Sequence, residues 1–168
     1  VIGQRNPYTN GNAWFVENVL MVDSADAEIT QLDSINTKTT AIVHKEFMPY
    51  LPLANIQRDS TATIDLVSHK PNHLVYEAAS SSEQLAVFSE IYYPKGWNAY
   101  IDGKAVSHIR VNYLLRALKI PAGYSKIEFK FEPAVVQTGS TISLYSSVLL
   151  LILVLMGLWH TSRKKNRQ

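Results

Sequence analysis

The chain contains no cysteine. Disulfides, thiolate metal sites and cysteine nucleophiles are therefore excluded together. It contains no Asn-x-Ser/Thr sequon either, which leaves a eukaryotic extracellular reading without support. No glycine-rich phosphate loop and no Gly-x-Ser-x-Gly occurs, so neither phosphate cradling nor a nucleophile elbow has a sequence signature here. No acid follows Glu132, and no Asp, Glu, Lys or Arg occurs from Ala134 to Ser162. The first residue is Val1 rather than Met, so the segment is expected to be a piece of a longer protein.

What is present fits a folded domain. At 168 residues, with 46% hydrophobic and 18% charged residues, the chain can bury a core of its own. The formal charge of +2 comes from the end of the chain. Arg163, Lys164, Lys165 and Arg167 lie in the last six residues; without them 16 − 4 = 12 basic residues face 14 acidic ones, a balance of −2. Such a body offers no basic face, so nucleic acid is not an expected partner.

The uncharged run contains "ISLYSSVLLLILVLMGLW", Ile142 to Trp159. Eighteen helical residues rise about 27 Å, close to the ~30 Å hydrocarbon core of a bilayer. Tyr145 and Trp159 stand near its ends, where amphipathic rings favour the interface. The cationic cluster of Arg163, Lys164, Lys165 and Arg167 then sets topology, because basic flanks stay on the cytoplasmic side. Three segments are expected: an extracytoplasmic domain over 1–135, a transmembrane helix over 136–161 and a basic cytoplasmic tail over 162–168. For a bacterium, that topology implies the cytoplasmic membrane, with residues 1 to about 136 in the periplasm or on the outer surface.

The body alternates apolar and polar residues. In "KIEFKFE", Ile127, Phe129 and Phe131 share one face while Lys126, Glu128, Lys130 and Glu132 share the other. That period of two predicts a half-buried strand. Similar patterns occupy 61–68, 73–79, 84–93, 97–102, 105–111 and 113–120, separated by turn residues such as Pro94-Lys95-Gly96 and Asp102-Gly103. One helix is predicted in "DSADAEITQLDSI", capped by Asp23 or Ser24, with Ala25, Ile29, Leu32 and Ile35 as its apolar face. Strands at 13–22 and 40–47 flank it, a unit expected to pack onto the sheets. Residues 48–60, with two prolines, read as an internal linker. The fold class is mainly β: an antiparallel β-sandwich, jelly-roll or Ig-like, with one short N-terminal helix and a single C-terminal transmembrane helix.

Three ordered stretches carry a family likeness: "NPYTNGNAWFVENV", "EIYYPKGWNAYIDGK" and "RVNYLLRALKIPAGYSKIEFKFEP". Together with the anchor they resemble the C-terminal part of the YfhO family of bacterial membrane proteins, in versions common among Bacteroidetes-like bacteria. The resemblance covers nearly the whole chain, from about Asn6. It implies a polytopic membrane protein whose N-terminal part is similar to GT-C glycosyltransferases, which use polyprenyl-phosphate sugars. It also implies that the acidic catalytic residues lie upstream of Val1, so no catalytic residue is carried onto this sequence and no cofactor is expected in it.

Among the remaining residues, His69 and His73 have a helical metal spacing, but Pro71 between them makes a metal site improbable on a predicted hairpin. Asp102 before Gly103 reads as hairpin turn chemistry rather than catalysis. Trp97, Ala99 and Ile101 share a core face, which puts Asn98 and Tyr100 on the polar side. The candidate ligand-binding residues are Tyr92, Tyr93, Tyr100, Arg110, Asn112 and Arg116: alternation turns Tyr92 and Tyr93 to opposite faces, so at most one of them joins Tyr100, and the polar Arg110, Asn112 and Arg116 are placed to line a groove for a saccharide or a partner. The expected partners are the lipid bilayer, the N-terminal transmembrane region of the same protein and an envelope glycan. Two functions follow. One is an accessory domain of a glycosyltransferase-like membrane protein. The other is a membrane-tethered carbohydrate-binding or protein-interaction sandwich.

Overall fold

The computed structural model describes residues 9–51 and 59–165, with side chains as far as 160. Residues 52–58 of the expected linker lie outside the described residues, as do Arg167 and the side chains of Arg163, Lys164 and Lys165.

The strands are β1 (Ala13–Val16), β2 (Asn18–Val22), β3 (Thr40–His44), β4 (Thr63–Lys70), β5 (His73–Ser80), β6 (Gln84–Ile91), β7 (Trp97–Ile101), β8 (Lys104–Val106), β9 (Ile109–Val111), β10 (Leu115–Ile120) and β11 (Gly123–Phe131). Helix α1 covers Ala25–Gln31 and helix α2 covers Ala134–Lys165. The chain divides into two compact units, Val1–Glu132 and Pro133–Gln168.

The first unit is an antiparallel β-sandwich. One sheet has the order β1-β6-β10-β9 and the other β4-β5-β11-β7-β8. Alternation decides what each strand buries. Leu74, Tyr76 and Ala78 of β5 meet Ala86 and Phe88 of β6, Leu118 and Ile120 of β10, and Ile127 and Phe129 of β11 between the sheets. Tyr76, Phe88 and Phe129 pack edge to face, with centroids 4.9 Å apart for Tyr76–Phe88 and for Phe88–Phe129. Such ring pairs contribute about 1 kcal/mol each beyond their buried area.

A second apolar layer lies on the far side of the β1-β6-β10-β9 sheet. Val16, Leu85, Val87 and Ala117 pack there against Ala41 and Val43 of β3. Strand β6 is thus buried on both faces from Gln84 to Phe88. That continuous apolar run is the mark of a middle layer, which period-two reasoning cannot assign to one side.

The second layer is supplied by β2, α1 and β3. The predicted strand over 13–22 is split at Glu17 between two sheets: Glu17 and Asn18 both donate backbone N–H groups to the Thr39 carbonyl, at 2.8 and 3.0 Å. Strand β2 pairs in parallel with β3, and α1 forms the crossover between them. The predicted strand over 105–111 is likewise split, β8 going to one sheet and β9 to the other.

Helix α1 corrects the predicted apolar face. Ser24 does cap it, accepting from the Ala27 amide at 3.1 Å. However, Ala25 is exposed and Ile29 is 49% exposed, while Glu28 is fully buried. The reason is that a charge on the sandwich claims the inner face. Glu28 Oε1 accepts the Tyr113 amide at 2.7 Å, and Oε2 faces Arg110 Nη2 at 3.2 Å. Asn112 adds a two-way clasp: its Oδ1 accepts from Ile42 N and its own N donates to Ile42 O, both at 2.8 Å. Asn112 and Tyr113 hold positive φ values of 49° and 67° to present these groups.

Turn chemistry follows the sequence. Asp102 and Gly103 both take positive φ, 49° and 77°, between β7 and β8, as a tight hairpin requires. Gly96 is fixed by crowding instead: a Cβ there would lie 2.3 Å from the Phe131 ring. Where the described chain resumes, Asp59 accepts four hydrogen bonds from Thr61 and Ser81, the shortest 2.5 Å. Those from Thr61 and Ser81 hold its pKa far below the usual carboxylate range.

Glu28→Ala strands both Arg110 and the Tyr113 amide, and is expected to cost about 3 kcal/mol of folding stability. Ile29→Ser, on the face first expected to be buried, is expected to stay within about 0.5 kcal/mol. Urea denaturation of the two variants in the same detergent checks the contrast.

Candidate functional site

A cleft of about 530 Å³ opens beside β7. Its walls include Tyr92, Trp97 and Tyr100, with Phe47, Tyr50, Asn98 and His108. It forms where β8 stops short: β8 pairs with residues 99–101 of β7, while Trp97 and Asn98 pair only on the β11 side. The chain bends after β8, and the Ser107–His108 segment forms the facing wall.

Each aromatic is held differently. Tyr100 donates to Glu132 Oε2 at 2.9 Å, and the Lys130 ammonium lies 4.8 Å from its ring centre. The Glu132 carboxylate raises the Tyr100 pKa by accepting its hydroxyl proton, and Asn98 and Tyr100 in turn lower that of Glu132. Tyr92 packs edge-on against Phe47 at 5.7 Å and His108 at 5.1 Å. Burial, with Glu46 nearby, pushes the Tyr92 phenol up.

Trp97 faces inward, as the alternation predicts, and packs against the core. Behind it stands Arg116. This side chain is only 1% exposed. Its guanidinium lies 4.7 Å from the Trp97 ring centre and 4.6 Å from that of Phe129. Desolvated contacts of this kind are worth about 2 kcal/mol. Glu90 Oε2 faces Arg116 Nη2 at 3.8 Å, too long for a hydrogen bond. Burial lowers the Arg116 pKa, with Glu90 and Tyr76 acting the other way. The same cluster marks its neighbours. Burial and the Glu90 charge push Tyr76 up to about 12. Burial and the Arg116 charge push His108 down to about 4.

The six candidate binding residues are therefore divided, and of Tyr92 and Tyr93 it is Tyr92 that joins Tyr100. Tyr92 and Tyr100 share the cleft. Tyr93 is 48% exposed and packs over Gly96 instead. Arg110 is engaged by Glu28 and Glu46 and lies over Phe47, 6.0 Å from its ring centre. Asn112 is buried in its clasp on Ile42, and Arg116 is buried behind Trp97. The polar residues of "RVNYLLR" thus brace the walls rather than line them. Conversely, Phe47, Tyr50 and His108 line the cleft without being anticipated. Phe47 and Tyr50 belong to a 3-10 helical turn, Lys45–Tyr50, in the stretch leading into and beginning the expected linker. His108 sat inside a pattern that read as an unbroken strand.

Two histidines of the β4–β5 hairpin find carboxylates. His73 Nε2 lies 2.9 Å from Glu128, and His69 Nε2 lies 3.8 Å from Glu90, on opposite faces of the hairpin. Burial alone would raise the Glu128 pKa; the His73 hydrogen bond and the Lys130 and Lys126 charges bring it below the usual value.

The family model described as bacterial membrane protein YfhO matches residues 36–143, more than half of the chain. The chain belongs to this family. The match takes in the cleft, every strand from β3 to β11 and the start of α2. No curated protein and no solved structure matches the chain. Residues Ala134–His160 of α2 are long and apolar enough to cross a membrane, and none of the apolar window is buried. Family and helix agree that this is a membrane protein.

His108 gives a pH test. Its folded pKa, about 4, lies below the 6.5 of an unperturbed histidine, so the unfolded chain binds the extra proton between those values. Stability is present above pH 6.5 and is lost as pH falls toward 4, at up to about 1.4 kcal/mol per pH unit for one proton. In urea titrations at a series of pH values, His108→Phe is expected to flatten that slope. Any loss at still lower pH, from protonation of carboxylates, remains.

Proposed function

We propose that this chain is the extracytoplasmic accessory domain and last transmembrane helix of a polytopic membrane protein acting in cell-envelope glycan modification. In this reading the sandwich holds a stretch of glycan in the aromatic cleft and presents it to chemistry performed upstream in the same protein. The observation that carries the proposal is the cleft itself. Sugar rings offer C–H faces that pack on aromatic side chains, and their hydroxyls need polar partners at the rim. Tyr92, Trp97 and Tyr100 provide the first, and Asn98 with Glu132 the second. Membership in a membrane protein family and the apolar helix support the setting. The basic residues after the helix support a cytoplasmic C-terminus.

Arg116 is unsuitable for testing this, because its loss empties the space behind Trp97. Tyr100 and Tyr50 are better placed, being at the rim. Titration of the intrinsic tryptophan fluorescence with envelope oligosaccharides is expected to show saturable binding. Tyr100→Ala is expected to weaken it about tenfold, or ~1.4 kcal/mol. The same substitution in the intact parent protein is expected to lower glycan modification in cells. Absence of binding in the unsubstituted chain defeats the proposal. Binding that Tyr100→Ala weakens, with no effect in the parent, transfers the function to a tethered carbohydrate-binding module.

Topology has its own test. Alkaline phosphatase fused after Gln168 is expected to be inactive, because that enzyme matures only outside the cytoplasm. An active fusion reverses the orientation.

A further inference from the structure

The exposed surface of the sandwich is unevenly apolar. Ile91 is 59% exposed, Leu114 49%, Tyr93 48% and Phe131 39%. They gather at one end. The Tyr93 and Phe131 rings both lie over Gly96, and the Tyr92 amide donates to the Leu114 carbonyl at 2.8 Å, between Ile91 and Tyr93 in sequence. Lys95, also exposed, stands in the turn that joins Tyr93 to Gly96. The carboxylate next to Phe131, Glu132, is turned onto Asn98 and Tyr100.

Chain connectivity says what meets this end. Only Glu132 and Pro133 separate Phe131 from the first residue of α2. Three peptide steps reach at most about 11 Å. The 27 residues of the candidate span rise about 40 Å. That length matches the hydrocarbon core plus both headgroup layers, so Ala134 stands at the outer edge of the headgroups. The chain itself therefore limits how far Phe131 can be from that surface. Aromatic rings with an aliphatic rim and a lysine form the composition that partitions into a headgroup layer.

We propose that the patch formed by Ile91, Tyr93, Leu114 and Phe131 is a second membrane contact, inserting into the headgroup layer beside the anchor, with Lys95 on lipid phosphate. The sandwich is then docked on the bilayer and not merely tethered to it. The proposal needs only the membrane span and is independent of any glycan.

The lack of native cysteine makes the test direct. Single cysteines replace Tyr93, Leu114 or Ala122; the last is exposed just before β11 and so marks the opposite end of that strand. Each full chain is labelled with an environment-sensitive dye. It is then reconstituted, anchor included, in vesicles of phosphatidylethanolamine and phosphatidylglycerol carrying a headgroup nitroxide quencher. Quenching is expected to be several-fold stronger at positions 93 and 114 than at 122. With the label at 114, Tyr93→Asp is expected to remove most of the difference. Equal quenching at the two ends overturns the proposal, and so does quenching at 114 that Tyr93→Asp leaves unchanged, since a tether alone explains it. A patch that serves a protein partner gives the first of these results, because the vesicles contain no other protein.

Discussion

The interaction on which the sandwich most depends is a buried positive charge. Arg116 lies in β10, on the face that meets the second sheet, next to the core residues Leu118 and Ile120 of the same strand. A guanidinium there stays charged and must be compensated. It is compensated mainly by ring faces, Trp97 on one contact and Phe129 on another, and only distantly by the Glu90 carboxylate. Burial and this charge together hold His108 neutral beside it, whereas Tyr76 is held neutral by burial and Glu90 against the pull of Arg116. The same charge explains the cleft. Trp97 is a wall of the cleft on one side and a partner of Arg116 on the other, so the wall has little freedom to move.

A second, smaller charge cluster does the same for the outer layer. Glu28 draws α1 onto Arg110 and the Tyr113 amide, and Asn112 draws β3 onto the same corner. Arg110 in turn lies over Phe47, another wall of the cleft. Both arginines therefore act on the cleft through the rings they support.

Much of this fold was legible because alternation and turn residues are local. "KIEFKFE" placed Ile127 and Phe129 of β11 in the core, though Phe131 at the strand's end is exposed, and Asp102-Gly103 gave the β7–β8 hairpin. Trp97 was placed inward by counting in twos. Less was legible where two partners compete for one residue. Strand β6 is buried on both sides, so its pattern names neither. The helix face was misassigned because Ile29 is apolar and Glu28 is not, yet burial followed the ion pair. Arg116 looked like a groove residue for the same reason: a charge is read as exposed until its aromatic partners, nearly twenty residues away in Trp97, are known. The division of 105–111 between two sheets left no trace in composition.

Strand order has a consequence for how the protein is made. Strand β11 lies between β5 and β7, at the centre of its sheet, yet among the described strands it is the last to be synthesised. Until it arrives, β5 and β7 each present an open edge, and Phe129 and Ile127 are missing from the core. Open edges and uncovered apolar faces invite mispairing. The residues that close them are followed within three positions by the helix that anchors the chain. Completion of the sheet and arrival of the anchor are thus nearly simultaneous events, and the sandwich spends its whole assembly as a nascent chain with its keystone still to come.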